Sequence, residues 1–136
     1  MYEMFEHTAD LGLRVSAPDL DTLFAEAGQA LFSAIVEELA TVQALQPVSV
    51  DLAGTELAYL LFDWLNELLF QYESEHVLLS RFDVHVSESG LQGTVWGEPL
   101  DPGRHELQHE VKAITYHQLR VERTPDGWLA EVIVDI

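Results

Sequence analysis

Apolar residues between positions 56 and 72 repeat at three- and four-residue steps, which is the pattern of one face of an α-helix. The residues on this stripe are Leu57, Leu60, Leu61, Trp64, Leu65, Leu68, Leu69 and Tyr72. Gly54 breaks the preceding pattern, and the side chain of Thr55 can accept a hydrogen bond from a backbone N–H of the first turn. We therefore predict a central helix that Thr55 caps and whose stripe faces the core.

The rest of the circumference of this helix is only partly polar. The aromatic residues off the stripe are Tyr59, Phe62 and Phe70, and the polar residues, on one flank, are Asp63, Asn66 and Glu67. A helix with so much apolar surface is usually covered on more than one side, so we predict that it forms a central layer. The polar residues keep it short of the ~20 apolar residues of a membrane span. Their flank is either the solvated face of the helix or a polar cluster near a site.

Weaker patterns predict the other elements. Apolar residues at helical spacing after Pro18 indicate a first helix that has Pro18 in its first turn and ends near Val36. Apolar and β-type runs predict strands at 2–6, 11–16, 48–52, 82–86, 91–97, 111–123 and 128–136. Gly97 and Gly103 are predicted as turn glycines. The pattern indicates an α+β, two-layer sandwich with two main helices on a mixed or mostly antiparallel sheet, in a single domain over 1–136.

The charge balance is strongly acidic. The chain has 24 Asp and Glu against 6 Lys and Arg, a formal net charge of −18. Tight nucleic-acid binding depends on clustered basic residues, and here they are scattered; they are Arg14, Arg81, Arg104, Lys112, Arg120 and Arg123. We expect no tight direct binding of nucleic acid. The acidic surface either attracts cations or a basic protein surface, or serves solubility.

The composition narrows the chemistry and the compartment. The chain has no Cys, which excludes disulfides, thiolate catalysis and cysteine metal sites. Its first ten residues contain neither a basic cluster nor an apolar run, so we expect no signal peptide and a cytoplasmic protein without a membrane segment.

Residues 105–109 read HELQH, which matches the H-E-x-x-H string of zinc metallopeptidases. On a helix, His105 and His109 would bind one zinc ion and Glu106 would act as the general base. The string instead follows a Pro-Gly loop and runs within two residues into a β-type segment, whereas the motif needs a sustained helix. A zinc metallopeptidase is therefore a remote alternative.

Two acidic residues lie at opposite ends of the chain, Asp10 in HTAD and Asp135 in the final VDI. Asp135 follows three apolar residues typical of a strand, and the carboxylate of Ile136 is one residue away. Oxygen donors of this kind bind hard divalent cations such as Ca²⁺ or Mg²⁺. A divalent-cation site at Asp10, Asp135 and Ile136 is one hypothesis, and frayed ends of an acid-rich chain are the other.

Six segments spread over the whole chain resemble the archease family. They are, in order, HTADLGLRV, DWLNELLF, SRF, GEPLDPGRHEL, VKAITYH and the closing WLAEVIVDI. Their order and the overall length also match the family. The resemblance implies a small acidic α+β protein that is not itself an enzyme.

The resemblance further implies an activator of the GTP-dependent RNA-splicing (tRNA) ligase of the RtcB type. That ligase joins RNA ends bearing 3′-phosphate or 2′,3′-cyclic phosphate to 5′-hydroxyl ends. The archease promotes guanylylation of the ligase and its multiple turnover. Related proteins are also associated with a tRNA cytosine methyltransferase as chaperone-like specificity factors, which is the alternative function.

The resemblance also places functional residues. It implies a divalent-metal site, described as calcium, at Asp10, Asp135 and Ile136. Mg and Mn are the other candidate ions. It marks Lys112, the only lysine of the chain, as a candidate contact to the ligase or its nucleotide. We predict His7 and Asp63 as further candidate partner-binding residues.

Overall fold

A computed structural model describes the chain except for Thr8, Ala9 and the side chain of His7. The described residues form two α-helices, α1 (Leu20–Ile35) and α2 (Leu57–Glu75), and a short 3-10 turn at Leu39–Thr41. The strands are β1 (Tyr2–His7), β2 (Asp10–Ala17), β3 (Gln46–Ala53), β4 (Val77–Ser87), β5 (Gly90–Pro99), β6 (Ala113–Ile114), β7 (Arg120–Thr124) and β8 (Gly127–Asp135). The predicted α+β class with two main helices is confirmed.

Antiparallel pairing divides the strands into two sheets. One sheet has the order β1-β2-β8-β6, with β7 also paired to β8, and the other has the order β3-β5-β4. β8 pairs along its length with β2, and it also pairs with β6 near its end and with β7 near its start. The continuous strand predicted over 111–123 is wrong, because the chain turns between β6 and β7, where Gln118 has a positive φ of 55°.

The two helices share one hydrophobic core with the sheets. Each helix contacts strands of both sheets. The interior of the predicted α2 stripe is buried, at Leu60, Leu61, Trp64, Leu65, Leu68 and Leu69. The indole Nε1 of the fully buried Trp64 donates a 2.9 Å hydrogen bond to the carbonyl oxygen of Phe24 in α1. This bond fixes the helices to each other, because a buried polar group without a partner costs about 1–3 kcal/mol.

The helix starts differ slightly from the predictions. Pro18 lies before α1 and not in its first turn, because Asp19 is the N-cap and its carboxylate accepts a 2.8 Å hydrogen bond from the Thr22 N–H. The predicted cap at Thr55 is wrong. The N-cap of α2 is Glu56, whose carboxylate accepts hydrogen bonds of 3.3 Å from two backbone N–H groups of the first turn. A negative charge at this position also interacts favourably with the helix dipole.

One face of α2 is open to solvent. α2 contacts both sheets, as predicted for a central layer, but Tyr59 and Phe70 are 58% and 60% exposed. Asp63 lies between them in sequence and is also exposed. In the part of the chain that the structure describes, no helix combines the length and the apolar character needed to cross a membrane.

Gly97 lies inside β5 and not in the predicted turn, whereas Gly103 lies in a turn as predicted. The pairing of β4 with β5 has a register shift between Leu79 and Arg81, close to Gly97. A Cβ added to Gly97 would lie 1.8 Å from the carbonyl oxygen of Leu78. That atom belongs to the backbone and cannot rotate aside, so the close approach of the two strands requires glycine at this position.

We expect Gly97→Ala to lower the free energy of unfolding by about 2 kcal/mol, because the strands must move apart to admit the methyl group. Gly54→Ala is the matched control, since a Cβ there would meet its nearest neighbour at an ordinary 3.5 Å. Denaturant unfolding of both variants and the wild type measures the difference. Equal stabilities of the two variants would contradict the steric explanation.

Candidate functional site

The two ends of the chain meet on the larger sheet. Asp10, at the start of β2, is the direct cross-strand partner of Asp135 at the end of β8. The same row continues to His7 of β1 on one side and to Ala113 of β6 on the other. Directly opposite residues of antiparallel strands have Cβ atoms roughly 4.5–5.5 Å apart. Residues from the beginning and the end of the sequence are thus neighbours here.

Hydrophobic alternation along β2 and β8 explains why the two aspartates share a face. Leu11 and Val134 pair with each other and are buried in the core. Asp10 and Asp135 form the next pair along the strands. Because successive side chains of a strand point to opposite faces, both carboxylates lie on the side turned away from that core.

The acid pair, Asp10 and Asp135, places two carboxylates directly opposite each other on neighbouring strands. Like charges in this arrangement disfavour strand pairing in general, and a cation between them favours it. Asp135 is exposed and Asp10 is partly buried. The hard oxygen donors of the two carboxylates suit Ca²⁺, Mg²⁺ or Mn²⁺.

The acid pair does not form a complete metal cage by itself. Apart from residues 8 and 9 and the side chain of His7, which are not described, no three His, Cys, Asp or Glu side chains are grouped so as to hold a metal ion. The main-chain oxygens of Ile136 follow Asp135 directly and offer a further donor. Because Ca²⁺ takes 6–8 oxygen ligands in general, water or a partner protein would complete the coordination.

Lys112 lies beside the acid pair. Its backbone N–H donates a 2.7 Å hydrogen bond to the carbonyl oxygen of Asp135, and its side chain is exposed. It also borders a cavity of about 450 Å³, together with Tyr72, His76 and Glu110. The structure therefore brings three of the predicted site residues, Asp10, Asp135 and Lys112, to one end of the larger sheet, adjacent to Ile136.

The arginines already have partners within the chain. Arg14 and Arg120 contact Glu131 at 3.3 and 2.7 Å, and Arg104 is paired with Glu98. Arg81 and Arg123 lie over tryptophan rings, 4.5 and 5.2 Å from the ring centroids. The ion pairs and ring contacts named here all involve arginines, whereas Lys112, the only lysine, has an exposed side chain.

The two other predicted partner-binding residues, His7 and Asp63, do not both lie near the acid pair. The side chain of His7 lies outside the described residues, although its backbone is paired with Asp10. The side chain of Asp63 is exposed on the solvent face of α2, and Asp63 is not among the residues that pair across the sheet with Asp10 and Asp135. Asp63 therefore lies outside this site, and its role in partner binding stays a prediction.

The HELQH segment does not form the zinc site of the remote alternative. Residues 105–109 are not helical, and Leu107 forms an isolated antiparallel bridge with Val36. His105 is buried and uses both ring nitrogens: Nδ1 accepts a 3.0 Å hydrogen bond from the Asp101 N–H, and Nε2 lies 3.0 Å from Glu98 Oε2. Because neither nitrogen is left for a metal and the helical spacing is missing, the metallopeptidase alternative is wrong.

Glu98 is the buried centre of the contacts that hold this segment. Its carboxylate accepts a 2.7 Å hydrogen bond from the Gln43 N–H and contacts the side chains of Arg104 and His105. Burial raises the pKa of Glu98, but the bonds from Arg104, Gln43 and His105 outweigh this effect and lower the pKa to about 2. Arg104 Nη1 also donates to the carbonyl oxygen of Thr41 at 3.0 Å. The carboxylate thus anchors the loop after β5. No local sequence pattern marks Glu98.

The whole chain matches one protein family. The family model described as Archease protein family (MTH1598/TM1083) matches residues 2–136. The protein archease of Methanopyrus kandleri is 41% identical over 139 residues, which is 99% of each chain. The protein archease of Pyrococcus abyssi is 39% identical over 140 residues, covering 99% of this chain and 98% of the relative.

Two solved structures share the fold. The solution structure of Methanobacterium thermoautotrophicum protein 1598 is 34% identical, with a TM-score of 0.89 over 99% of this chain and 98% of the other. The crystal structure of an archease from Thermotoga maritima, described as a possible chaperone, is 23% identical, with a TM-score of 0.69 over 100% of this chain and 98% of the other. At that identity the second likeness concerns the fold alone.

We expect the stabilisation from Glu98 to depend on pH. Because its folded-state pKa lies at about 2, below the ordinary value of 4.5, this contribution is fully present above pH 4.5 and is lost as the pH falls toward 2. Glu98→Gln should therefore lower the free energy of unfolding by on the order of 2 kcal/mol at pH 7 and by much less near pH 2.5. Denaturant unfolding at both pH values measures the difference, with the exposed Glu122→Gln as control. A loss that is the same at both pH values would contradict this assignment.

Proposed function

The chain belongs to the archease family, and from that membership we propose that it is a non-catalytic accessory factor that activates a GTP-dependent RNA-splicing ligase of the RtcB type. In this role it promotes guanylylation of the ligase and allows the ligase to turn over repeatedly. The observation that carries the proposal is the direct pairing of Asp10 with Asp135 beside Lys112, within a match that spans residues 2–136. The paired carboxylates and the lysine support this end of the sheet as the surface that contacts the ligase.

The proposal includes a divalent cation at this end. Asp10 and Asp135 would hold it with their carboxylates, and Ile136 with its main-chain oxygens. Calcium is the first candidate, because carboxylate and main-chain oxygens are its usual ligands and it tolerates irregular coordination. Bound there, the cation supplies positive charge that neutralises the acid pair and attracts oxygen groups of a partner or its nucleotide.

The acidic net charge of the chain favours a protein as its partner over direct binding of RNA. The net charge of −18 repels phosphate groups, whereas a ligase that handles RNA presents basic surface to which an acidic protein is drawn. Lys112 supplies an exposed cation next to the acid pair, suited to a carboxylate or phosphate group of the complex. This end of the sheet would dock near the nucleotide-loading site of the ligase.

A second candidate function is that of a chaperone-like specificity factor for a tRNA cytosine methyltransferase. The same family membership supports it, because the resemblance implies both roles. Pull-down of each enzyme with the tagged chain distinguishes the two, because the ligase proposal requires the ligase to be retained. Retention of the methyltransferase alone would support the second function.

We expect calcium to bind the acid pair and to stabilise the fold. In calorimetric titration the wild type should bind one Ca²⁺ per chain, and Asp10→Asn and Asp135→Asn should each weaken binding by about tenfold or more, because the charge of the ligands sets the affinity. Saturating Ca²⁺ should also raise the melting temperature of the wild type. Asp126→Asn is the control, since it changes an exposed aspartate at the opposite end of β8. Unchanged affinity in both site variants would refute the metal site.

We expect loss of the acid pair or of the lysine to reduce ligase activation. With the ligase, GTP and tRNA exon halves, the number of ligations per ligase molecule should rise on addition of the wild type. It should fall by about tenfold with Asp10→Ala, Asp135→Ala or Lys112→Ala, because each change removes a charged group from the proposed contact. Asp126→Ala is the control and should act as the wild type does. If the three site variants all support full turnover, this end of the sheet is not the activating surface.

A further inference from the structure

A group of aromatic side chains is exposed between α2 and the loop that joins β6 to β7. The rings of Phe62 and Tyr116 are stacked, with centroids 3.9 Å apart and planes 16° apart. Tyr59 meets Tyr116 edge-on at 5.9 Å. Tyr59 and Tyr116 are 58% and 60% exposed, so the outer surfaces of both rings face solvent. We call these three residues the aromatic shelf.

Carboxylates flank the aromatic shelf. Asp63 lies one helical turn after Tyr59 and is exposed, and positions four apart on a helix are neighbours. Glu56 lies one turn before Tyr59 and, with Tyr59 and Tyr116, lines a cavity of about 500 Å³. The shelf thus combines open ring faces, which carry negative quadrupole potential, with negatively charged neighbours. Both features attract a cation.

Elsewhere the chain covers aromatic rings with its own arginines. Arg14 lies 4.5 Å from the centroid of the Phe5 ring, and Arg81 and Arg123 lie over Trp96 and Trp128 at 4.5 and 5.2 Å. Among the described residues, the rings of the aromatic shelf have no such cation.

We propose that the aromatic shelf is a docking site for an arginine-bearing segment of a protein partner. A guanidinium group would lie on the open face of Tyr116 or Tyr59 and form charge-assisted hydrogen bonds with Asp63 and Glu56. Guanidinium suits the site better than ammonium, because its plane stacks on rings while its edge binds carboxylates. Stacked rings also suit a nucleobase, but the neighbouring carboxylates and the net charge of −18 repel the phosphates that accompany one.

The aromatic shelf is separate from the acid pair but connected to it through one short segment. Lys112 and Tyr116 are four residues apart, a separation that spans at most about 14 Å. A partner that reaches the acid pair could therefore also place a basic segment on the shelf. The inference does not rest on the proposed ligase function, because it depends on the shelf residues and not on Asp10 or Asp135.

The test is titration of the wild type with a capped hexapeptide that contains three arginines, followed by NMR of the tyrosine rings at low salt. The same peptide with citrulline in place of arginine keeps the shape and removes the charge. We expect the ring resonances of Tyr59 and Tyr116 to shift with the arginine peptide and not with the citrulline peptide. Tyr116→Leu, which keeps an apolar contact to Phe62, and Asp63→Asn should each weaken binding by about threefold.

Two matched variants control for general attraction to an acidic protein. Phe70→Leu removes a ring that is as exposed as Tyr116 but lies eleven residues beyond Tyr59, about 16 Å along α2. Asp83→Asn removes an exposed carboxylate on β4. Both should bind the peptide as the wild type does. Equal weakening in the shelf and control variants would overturn the proposal, as would a uridine oligonucleotide that shifts the same ring resonances at a lower concentration than the peptide.

Discussion

The pairing of β2 with β8 is the constraint on which the rest of the molecule depends. It runs in register from the Asp10–Asp135 pair to the pair of Ala17 with Trp128. It places one face of both strands in the core, with the residues Leu11, Leu13, Val15, Ala130, Val132 and Val134. A slip of one residue would turn every one of these side chains toward the wrong face, so the register is set by the hydrophobic effect. The same register puts two carboxylates opposite each other. Core formation and the candidate metal site therefore have one physical cause.

The arginines form contacts within the chain, whereas most of the acidic side chains face solvent. Arg14 and Arg120 both form ion pairs with the buried carboxylate of Glu131, and Arg104 forms an ion pair with Glu98. Burial raises the pKa of Glu131, but the hydrogen bonds from Arg120 and Arg14 outweigh it and lower the pKa. Basic residues are few, and the arginines contact acidic or aromatic side chains of the same chain. The remaining acidic surface is thus suited to basic protein partners and to divalent cations.

The loop after β5 shows that a metal-binding motif such as HELQH has no meaning without the helix on which it depends. HELQH contains the residue types of a zinc site, but its first histidine serves to hold Glu98 in place. The backbone of the segment is hydrogen-bonded to the chain at the end of α1. The N–H of Glu37 donates to the carbonyl oxygen of Glu106, and the N–H of Gln108 donates to the carbonyl oxygen of Ile35. A histidine with both nitrogens bonded in a buried network orients its neighbours and is not available as a ligand.

Local patterns were enough to place both helices and most strands, and to indicate the α+β class and the resemblance to the archease family, because periodicity and motif strings are relations between residues close in the chain. They also singled out Asp10 and Asp135, but not as direct cross-strand partners. That pairing, the division into two sheets, the role of Glu98 and the stacking of Tyr116 on Phe62 emerge only in the folded chain. These features join residues that are distant in the chain, and their contact depends on strand register and on how α2 packs, which no local pattern encodes.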